Sequence, residues 1–422
     1  MKKIFVVSRD SFSQTNANGK TLEALLCSFE KDELMQFYTG VNSPDFDFCD
    51  SYFRITDMQM IKSFIKKTDV NIEKPIEAGS TNVQVSKSKV WTYLKKLKYN
   101  FAVRYLREIL WEVSPHWKEQ FYQWLDEESP RAILYMVGDS FFLDSLVLDV
   151  AKRYRIPIIL FNVEAYRIID CKERTGFDQL YNNKSEKMYE KLQKQSSLTI
   201  YNCNLLRKSF QSFYSIQNEN ALIAYNAHVF DIDKYTPNDG RCNIVYFGNL
   251  GVGRVSSIIE IANVVKEISP NIKIDVFGQA SDIDKLLLMH HSNINYHGLI
   301  GQEMLHKVKT DADILLQVES FVPEIKKKLK YAFSTKIAQC LCAGRALLSY
   351  APLETASTIY LKDEDAAMIT DNIDSLKKEL SKLINQAEYR LEYANKAYSV
   401  AKRNHNIVEI GNFVRHRIEQ IL

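Results

Sequence analysis

Short apolar runs alternate with stretches of helical periodicity along most of the chain. Residues 3–8 predict a strand, 18–30 a helix and 34–39 a second strand. A helix is expected from 57 to 66, followed by a polar, poorly patterned stretch to Ser86. That stretch holds Pro75 and Gly79 and reads as a flexible excursion. Residues 88–113 read as one long helix, broken near Ser114 and Pro115, where proline fits just inside a new helix. Strands are expected at 132–137, 157–163, 198–202 and 222–225, with a helix at 141–154. Strands separated by helices imply βαβ units and a parallel sheet.

The pattern lapses over residues 226–241, which are largely polar toward their end and hold Pro237 and Gly240; this reads as a linker. A second alternation follows, with strands at 244–247, 272–277, 294–297, 314–318, 346–349 and 366–370. Helices are expected at 255–267, 282–290, from 302 and at 335–343, and nearly everything from 373 onward is helical. The prediction is two doubly wound α/β domains of similar size, joined near residue 226. In open parallel sheets ligands sit at the carboxyl ends of the strands, where the strand order switches. With two such domains the expected ligand site is the cleft between them.

Composition narrows the picture. The chain has 422 residues, 46% hydrophobic and 25% charged, as in an ordinary globular protein. Its net charge is 55 − 52 = +3, so no basic excess points to nucleic acid. Seven scattered cysteines form no disulfide framework, which fits a reducing compartment. The N-terminus MKKIFVVSRD is too short in apolar residues for a secretory signal, and the longest apolar runs, such as 156–163, are too short to span a membrane. Of only 14 glycines, half lie between 248 and 344, so something there needs positive φ or close backbone approach, unless these are ordinary turns.

Two motifs in that stretch carry chemistry. Residues 245–254, VYFGNLGVGR, give a strand, a glycine-bearing loop and a helix start, an arrangement that turns backbone N–H groups toward an anion. Arg254 supplies a guanidinium suited to a pyrophosphate; the competing reading is a tight turn with a solvent-facing arginine. The loop lacks both the dinucleotide-fold spacing and the ending of a P-loop. Residues 334–348 place Ser334, Thr335 as cap and Lys336 at the start of a short helix that Gly344 ends. A lysine in a first helical turn opposes the macrodipole, which makes sense when an anion shares the site, and otherwise reads as a solvated cation. Gln339 stands one turn further on, placed for a ribose or simply for solvent; Cys340 and Cys342 read as core thiols.

The succession 247–250 with Arg254, then 276–278, 296–298, 311–314 and 334–344 resembles the donor domain of GT-B glycosyltransferases, family 4 in particular. The resemblance is fairly specific over about 244–350 and weaker elsewhere. It implies a first domain of residues 1–225 completed by a C-terminal helix, 405–422, that crosses back to it, and a donor domain of 226–404. It implies donor binding at Gly248, Asn249, Gly278, Leu299, Ile300, Ser334, Thr335 and Gln339, and leaving-group stabilisation by Arg254 and Lys336. Asn249 stands where the family carries a second basic residue, Gln339 where it carries its second acid, and Tyr331 where it carries the first. The run Lys326, Lys327, Lys328 with Lys330 adds positive potential or is a solvated loop.

In the first domain, residues 8–20 read as a polar loop with Asn18 and Gly19 at its turn, which the family uses to border donor sugar and acceptor. Asp139 and Glu164 follow strands and are candidates for an acceptor partner or base, or else for helix caps. His228, His290 and His291 look exposed. Residues 86–107 hold seven Lys or Arg, no acid and five aromatics, a pattern that suits either an anionic membrane surface or a helix packed by its aromatics.

The expected activity is sugar transfer from a UDP- or GDP-sugar to an acceptor hydroxyl of a saccharide or lipid-linked saccharide. The resemblance implies a retaining reaction without cofactor or metal, in bacterial capsule, exopolysaccharide or O-antigen assembly, by a cytoplasmic protein peripheral on the inner membrane face. Two alternatives stay open: a non-catalytic GT-B partner of an active transferase, and a nucleotide-sugar 2-epimerase.

Overall fold

The computed structural model describes residues 3–66, 101–114, 116–168, 176–216, 219–230, 235–237 and 242–422. The excursion expected before Ser86, residues 86–100 of the basic aromatic stretch, Pro115 and Gly240 lie outside the described residues. The chain divides into two units: Met1–Asn202, Leu206–Ala224 and Gly411–Leu422 form the first, Cys203–Leu205 and Tyr225–Ile410 the second.

The first unit is built on seven parallel strands: β1 (Lys3–Ser8), β2 (Leu34–Tyr38), β3 (Ser51–Arg54), β4 (Pro130–Met136), β5 (Ile158–Asn162), β6 (Ser196–Tyr201) and β7 (Ala221–Ile223). Their order is β3-β2-β1-β4-β5-β6-β7. Central strands such as IILFN are apolar without alternation because helices cover both faces. The helices are α1 (Ala17–Leu26), α2 (Asp57–Lys66), α3 (Phe101–Val113), α4 (His116–Glu128), α5 (Phe141–Tyr154), α6 (Phe177–Gln195) and α7 (Asn204–Tyr214). Trp117 and Phe121 of α4 pack on Phe37, and Phe121 also meets Phe5 and Phe53, giving an aromatic core over β1–β3.

The second unit has six parallel strands: β8 (Ile244–Phe247), β9 (Ile274–Phe277), β10 (Ile294–Gly298), β11 (Ile314–Val318), β12 (Ala346–Tyr350) and β13 (Met368–Thr370). Their order is β10-β9-β8-β11-β12-β13. Around them lie α8 (Arg254–Ile268), α9 (Asp282–His290), α10 (Gln302–Asp311), α11 (Pro323–Leu329), α12 (Lys336–Cys342), α13 (Ala356–Asp363), α14 (Ile373–Asn385) and α15 (Ala387–Asn404). The lysine run, open in sequence to a loop reading, lies on α11, with Pro323 in its first turn, Lys327 and Lys328 exposed, Lys326 half-buried and paired to Glu354, and Lys330 at its C-cap. His228 is half-buried rather than exposed, its Nε2 lying 3.2 Å from Lys309 Nζ.

The last helix, α16 (Ile407–Glu419), begins in the second unit and from Gly411 belongs to the first. A Cβ on Gly411 would lie 2.4 Å from Cys27 Sγ, so a larger residue there would have to displace the side chains at the end of α1. Arg415 then holds the carboxylate of buried Glu33 through two nitrogens, at 2.7 and 2.9 Å. Burial opposes the Glu33 charge, but Arg415 and the Glu30 backbone outweigh it and keep the carboxyl below its ordinary range.

Each sheet reverses its strand order once, between β1 and β4 in the first unit and between β8 and β11 in the second. Loops leaving neighbouring strands at such a point diverge, and a crevice opens at the strands' carboxyl ends.

Candidate functional sites at the two switch points

At the second unit's switch point, Gly248 directly follows β8 with φ 126° and donates its N–H to Phe277 O at 2.9 Å. Gly278 lies so close that a Cβ there would sit 2.0 Å from Gly248 O. The two glycines fuse the β8 and β9 loops into one backbone shelf. Asn249 folds back, its Oδ1 accepting the Gly251 N–H at 2.8 Å, and thus serves the loop itself.

Arg254 opens α8 and meets Glu319, the first residue after β11. The guanidinium reaches Glu319 Oε2 from two nitrogens at 2.8 and 3.0 Å and Val318 O at 3.2 Å. Glu319 is buried, and its other oxygen accepts Gln317 Nε2 at 3.1 Å. Arg254 is therefore oriented by a carboxylate, not left facing solvent.

Lys336 opens α12 and lies across Gly248, with its ammonium 4.1 Å from the centre of the Tyr246 ring. Among the described residues it forms no ion pair. Burial lowers its pKa to about 8; Arg254 pushes the same way, while Cys340 and Glu319 resist. Lys336 gains its full charge most readily when an anion joins the shelf.

The remaining donor candidates are placed less decisively. Ser334 donates its N–H to Ser357 Oγ at 3.0 Å, and Gln339 is half-buried on α12. Thr335 occupies the cap position, but its backbone is already helical and its side chain makes no capping bond, which corrects the expected cap. Leu299, 73% exposed, and Ile300 follow β10, the edge strand, two positions from β8.

At the first unit's switch point, Asp139 follows β4 and pairs with Arg104 of α3 at 2.7 Å. Burial favours its neutral form, but Arg104, Arg167, Arg9 and Arg107 hold the carboxyl below its ordinary range. It does not cap α5. That role falls to Glu108, whose carboxylate accepts the Phe142 N–H at 2.9 Å and Ser140 Oγ at 3.0 Å. Arg107 meanwhile pairs with Asp57 at 2.9 Å. Two of the seven cations counted in 86–107 thus face inward.

Glu164 follows β5, half-buried, with its pKa raised by burial alone. It acts electrostatically on Tyr166, as do Asp139, Arg9 and Asp10, which places these groups around one end of the sheet. Asn18 and Gly19 lie in the first turn of α1, not at a loop turn as expected. Asn18 still reaches this end by donating Nδ2 to Asp10 Oδ2 at 2.8 Å. Sequence reasoning missed Glu319, Tyr246 and Glu108. Glu319 carried the signal that picked Asp139 and Glu164, an acid within two residues of the end of a predicted strand.

Among the described residues no group of three or more His, Cys, Asp or Glu is placed to hold a metal ion, and no helix is long and apolar enough to cross a membrane.

The fold is GT-B, two Rossmann-like units. It is similar to HepE of Anabaena, solved with UDP, at TM-score 0.63 and 11% identity over 100% of both chains. The lipopolysaccharide outer core galactosyltransferase WaaB gives 0.58 at 12% identity, again over 100% of both. A glycosyltransferase from Rickettsia africae gives 0.57 at 11% identity, over 100% of this chain and 97% of that one. Residues 259–422 match the model of a family described as glycosyl transferase-like. No curated protein matches the chain by sequence.

Proposed function

We propose that the chain is a glycosyltransferase that moves a sugar from a UDP- or GDP-sugar to an acceptor hydroxyl. The observation that carries this reading is the pair Arg254 and Lys336 converging on the Gly248 shelf at the second unit's switch point. Two cations held together with one carboxylate await an anion, and a diphosphate answers that need. The neighbour HepE, solved with UDP and with UDP-glucose, supports the same ligand class.

In the transfer the bond from the anomeric carbon to the diphosphate breaks and a bond to the acceptor oxygen forms. Negative charge grows on the departing diphosphate, where Arg254 and Lys336 stabilise it. As the bond to the acceptor oxygen forms, the acceptor's O–H bond breaks and its proton passes to the Glu164 carboxylate, while Asp139, fixed by Arg104, is better suited to binding the acceptor than to proton transfer. A retaining, metal-independent course and a saccharide or lipid-linked acceptor in bacterial surface-polysaccharide assembly belong to the proposal, as does peripheral membrane association. The motif resemblance supports these.

The commitment of Arg254 to Glu319 and the uncharged Asn249 favour a second reading, a non-catalytic GT-B partner. A nucleotide-release assay over UDP- and GDP-sugars with saccharide acceptors separates the two. Acceptor-dependent release by the wild type, lost in Lys336→Ala, supports the transferase. A folded protein that binds no nucleotide supports the partner.

A further inference from the structure

The segment that leaves β5 alternates in burial. Val163, Ala165 and Arg167 are turned inward, while Glu164 is half-buried and Tyr166 is 54% exposed. No other Tyr, Phe or Trp among the described residues is as open to solvent. An aromatic left bare on a helix surface needs no explanation. This one stands at the carboxyl end of a parallel strand, next to the switch point, where such sheets take their ligands.

The backbone around Tyr166 is held firmly while its ring is left free. Asn202 Nδ2 donates to Val163 O at 3.0 Å, Ile168 N to Ala165 O at 3.0 Å and Tyr214 Oη to Arg167 O at 3.2 Å. The Arg167 guanidinium donates to Gly138 O at 2.9 Å and Ser140 O at 3.4 Å, the carbonyls on either side of Asp139, and pairs with buried Asp144 at 2.9 Å. Arg167 thereby fastens the loop after β5 to the loop after β4. The strand register agrees, since Met136 lies opposite Phe161 and Asp139 and Glu164 each follow three residues later. Tyr166, Glu164 and Asp139 thus share one patch, set in place before a ligand arrives. Among the described residues the Tyr166 ring meets no other ring, and neither its hydroxyl nor the Glu164 carboxyl has a hydrogen-bond partner.

A bare aromatic ring beside two carboxyl groups selects its ligand by chemistry. A pyranose has a face of C–H groups, which packs on an aromatic ring, and a rim of hydroxyls, which donate to carboxylates. An acyl chain would cover the ring but leave the Glu164 carboxyl without a donor. We propose that Tyr166 is the stacking platform of a neutral saccharide subsite in the first unit, with Glu164 and Asp139 accepting hydrogen bonds from the sugar's hydroxyls. The proposal rests on the transferase reading only in calling that sugar the acceptor. A ring stacked on Tyr166 then brings one hydroxyl to Glu164, which takes its proton.

Saturation-transfer-difference NMR on the full chain tests it, using the methyl glycosides of glucose, galactose, mannose and N-acetylglucosamine, with UDP and GDP alongside. The ring C–H protons of at least one glycoside should receive saturation. Tyr166→Ala should weaken that binding by roughly two- to tenfold, and Tyr166→Phe should keep it. Circular dichroism, melting temperature and the nucleotide signals should stay unchanged in both variants, because the side chain is exposed. In turnover, Tyr166→Ala should raise KM for the acceptor by the same factor and leave KM for the donor alone. No signal from any glycoside, or one indifferent to Tyr166→Ala, overturns the subsite whether or not nucleotide binds. Equal loss in Tyr166→Phe overturns stacking as the contact. Nucleotide signals lost in Tyr166→Ala overturn it in favour of a base on the ring. Glycoside binding that depends on Tyr166 in a protein that binds no nucleotide supports the subsite and overturns the transferase reading.

Discussion

Arg254 and Glu319 stand 2.8 Å apart, joining the first residue of α8 to the first residue after β11. This pair closes the switch point of the second unit, and both members are largely buried. Removing one charge from such a pair strands the other, at a cost of about 3 kcal/mol, whereas replacing both by apolar groups costs far less. Urea denaturation should therefore show Glu319→Ala destabilised by about that amount, and Arg254→Met with Glu319→Leu less affected than the single changes sum to. Additive effects would show that the pair is not coupled.

Nucleotide affinity should depend on pH through Lys336. Its pKa is lowered to about 8 by burial, so the free protein loses this charge as pH rises through that value. A diphosphate binds the charged form and draws a proton in. Calorimetry should show affinity falling by up to about tenfold between pH 7 and 9, accompanied by proton uptake. Lys336→Met should abolish that slope.

The same lysine weakens the ligand-free fold. Below pH 8 the folded state carries a charge that burial disfavours; between 8 and its ordinary 10.5 the unfolded chain holds the extra proton, and stability from this group rises with pH. Lys336→Met should be more stable than wild type at pH 7, by up to about 3 kcal/mol, and the gain should vanish above pH 10.5. A less stable variant at pH 7 would contradict the assignment.

Gly278 and Gly248 share one backbone contact that no side chain fits. A methyl at 278 would lie 2.0 Å from Gly248 O, where φ is also positive at 154°. Gly278→Ala should cost about 1–3 kcal/mol and weaken nucleotide binding, because the shelf must shift. Thermal melting with and without nucleotide measures both effects.

Much of this architecture is legible in the residue pattern. Strands such as 132–137 and 314–318 are apolar runs bounded by polar loops, and the structure has the second at the expected bounds and the first, Pro130–Met136, within two residues of them. Helix α6 escaped notice because its sequence, FDQLYNNKSEKMYEKLQKQ, is mostly polar and its apolar positions are few. Strand order was not legible at all, since the adjacency of β8 and β11 depends on contacts across 66 or more intervening residues. For that reason Arg254 was singled out while Glu319, which orients it, was not. Glu108 was missed likewise: it caps a helix 33 residues further along the chain.

In the first unit, Glu164 is the carboxyl with raised pKa and Asp139 the ion-paired one. Glu164→Gln should lower kcat by about a hundredfold or more while leaving nucleotide affinity unchanged. Asp139→Asn should act chiefly on KM for the acceptor. Steady-state kinetics with both substrates varied separates these outcomes, and an unchanged kcat in Glu164→Gln removes it from the chemical step.

The central claim is that the Gly248 shelf with Arg254 and Lys336 binds a nucleoside diphosphate. Thermal denaturation with UDP, GDP, CMP and dTDP tests it most directly, with Arg254→Ala and Lys336→Ala as controls. A ligand at a hundred times its Kd adds about 2.7 kcal/mol, which appears as a shift of a few degrees. The account predicts such a shift with UDP or GDP and its loss in both variants. No shift with any nucleotide, or one that survives both substitutions, would contradict it.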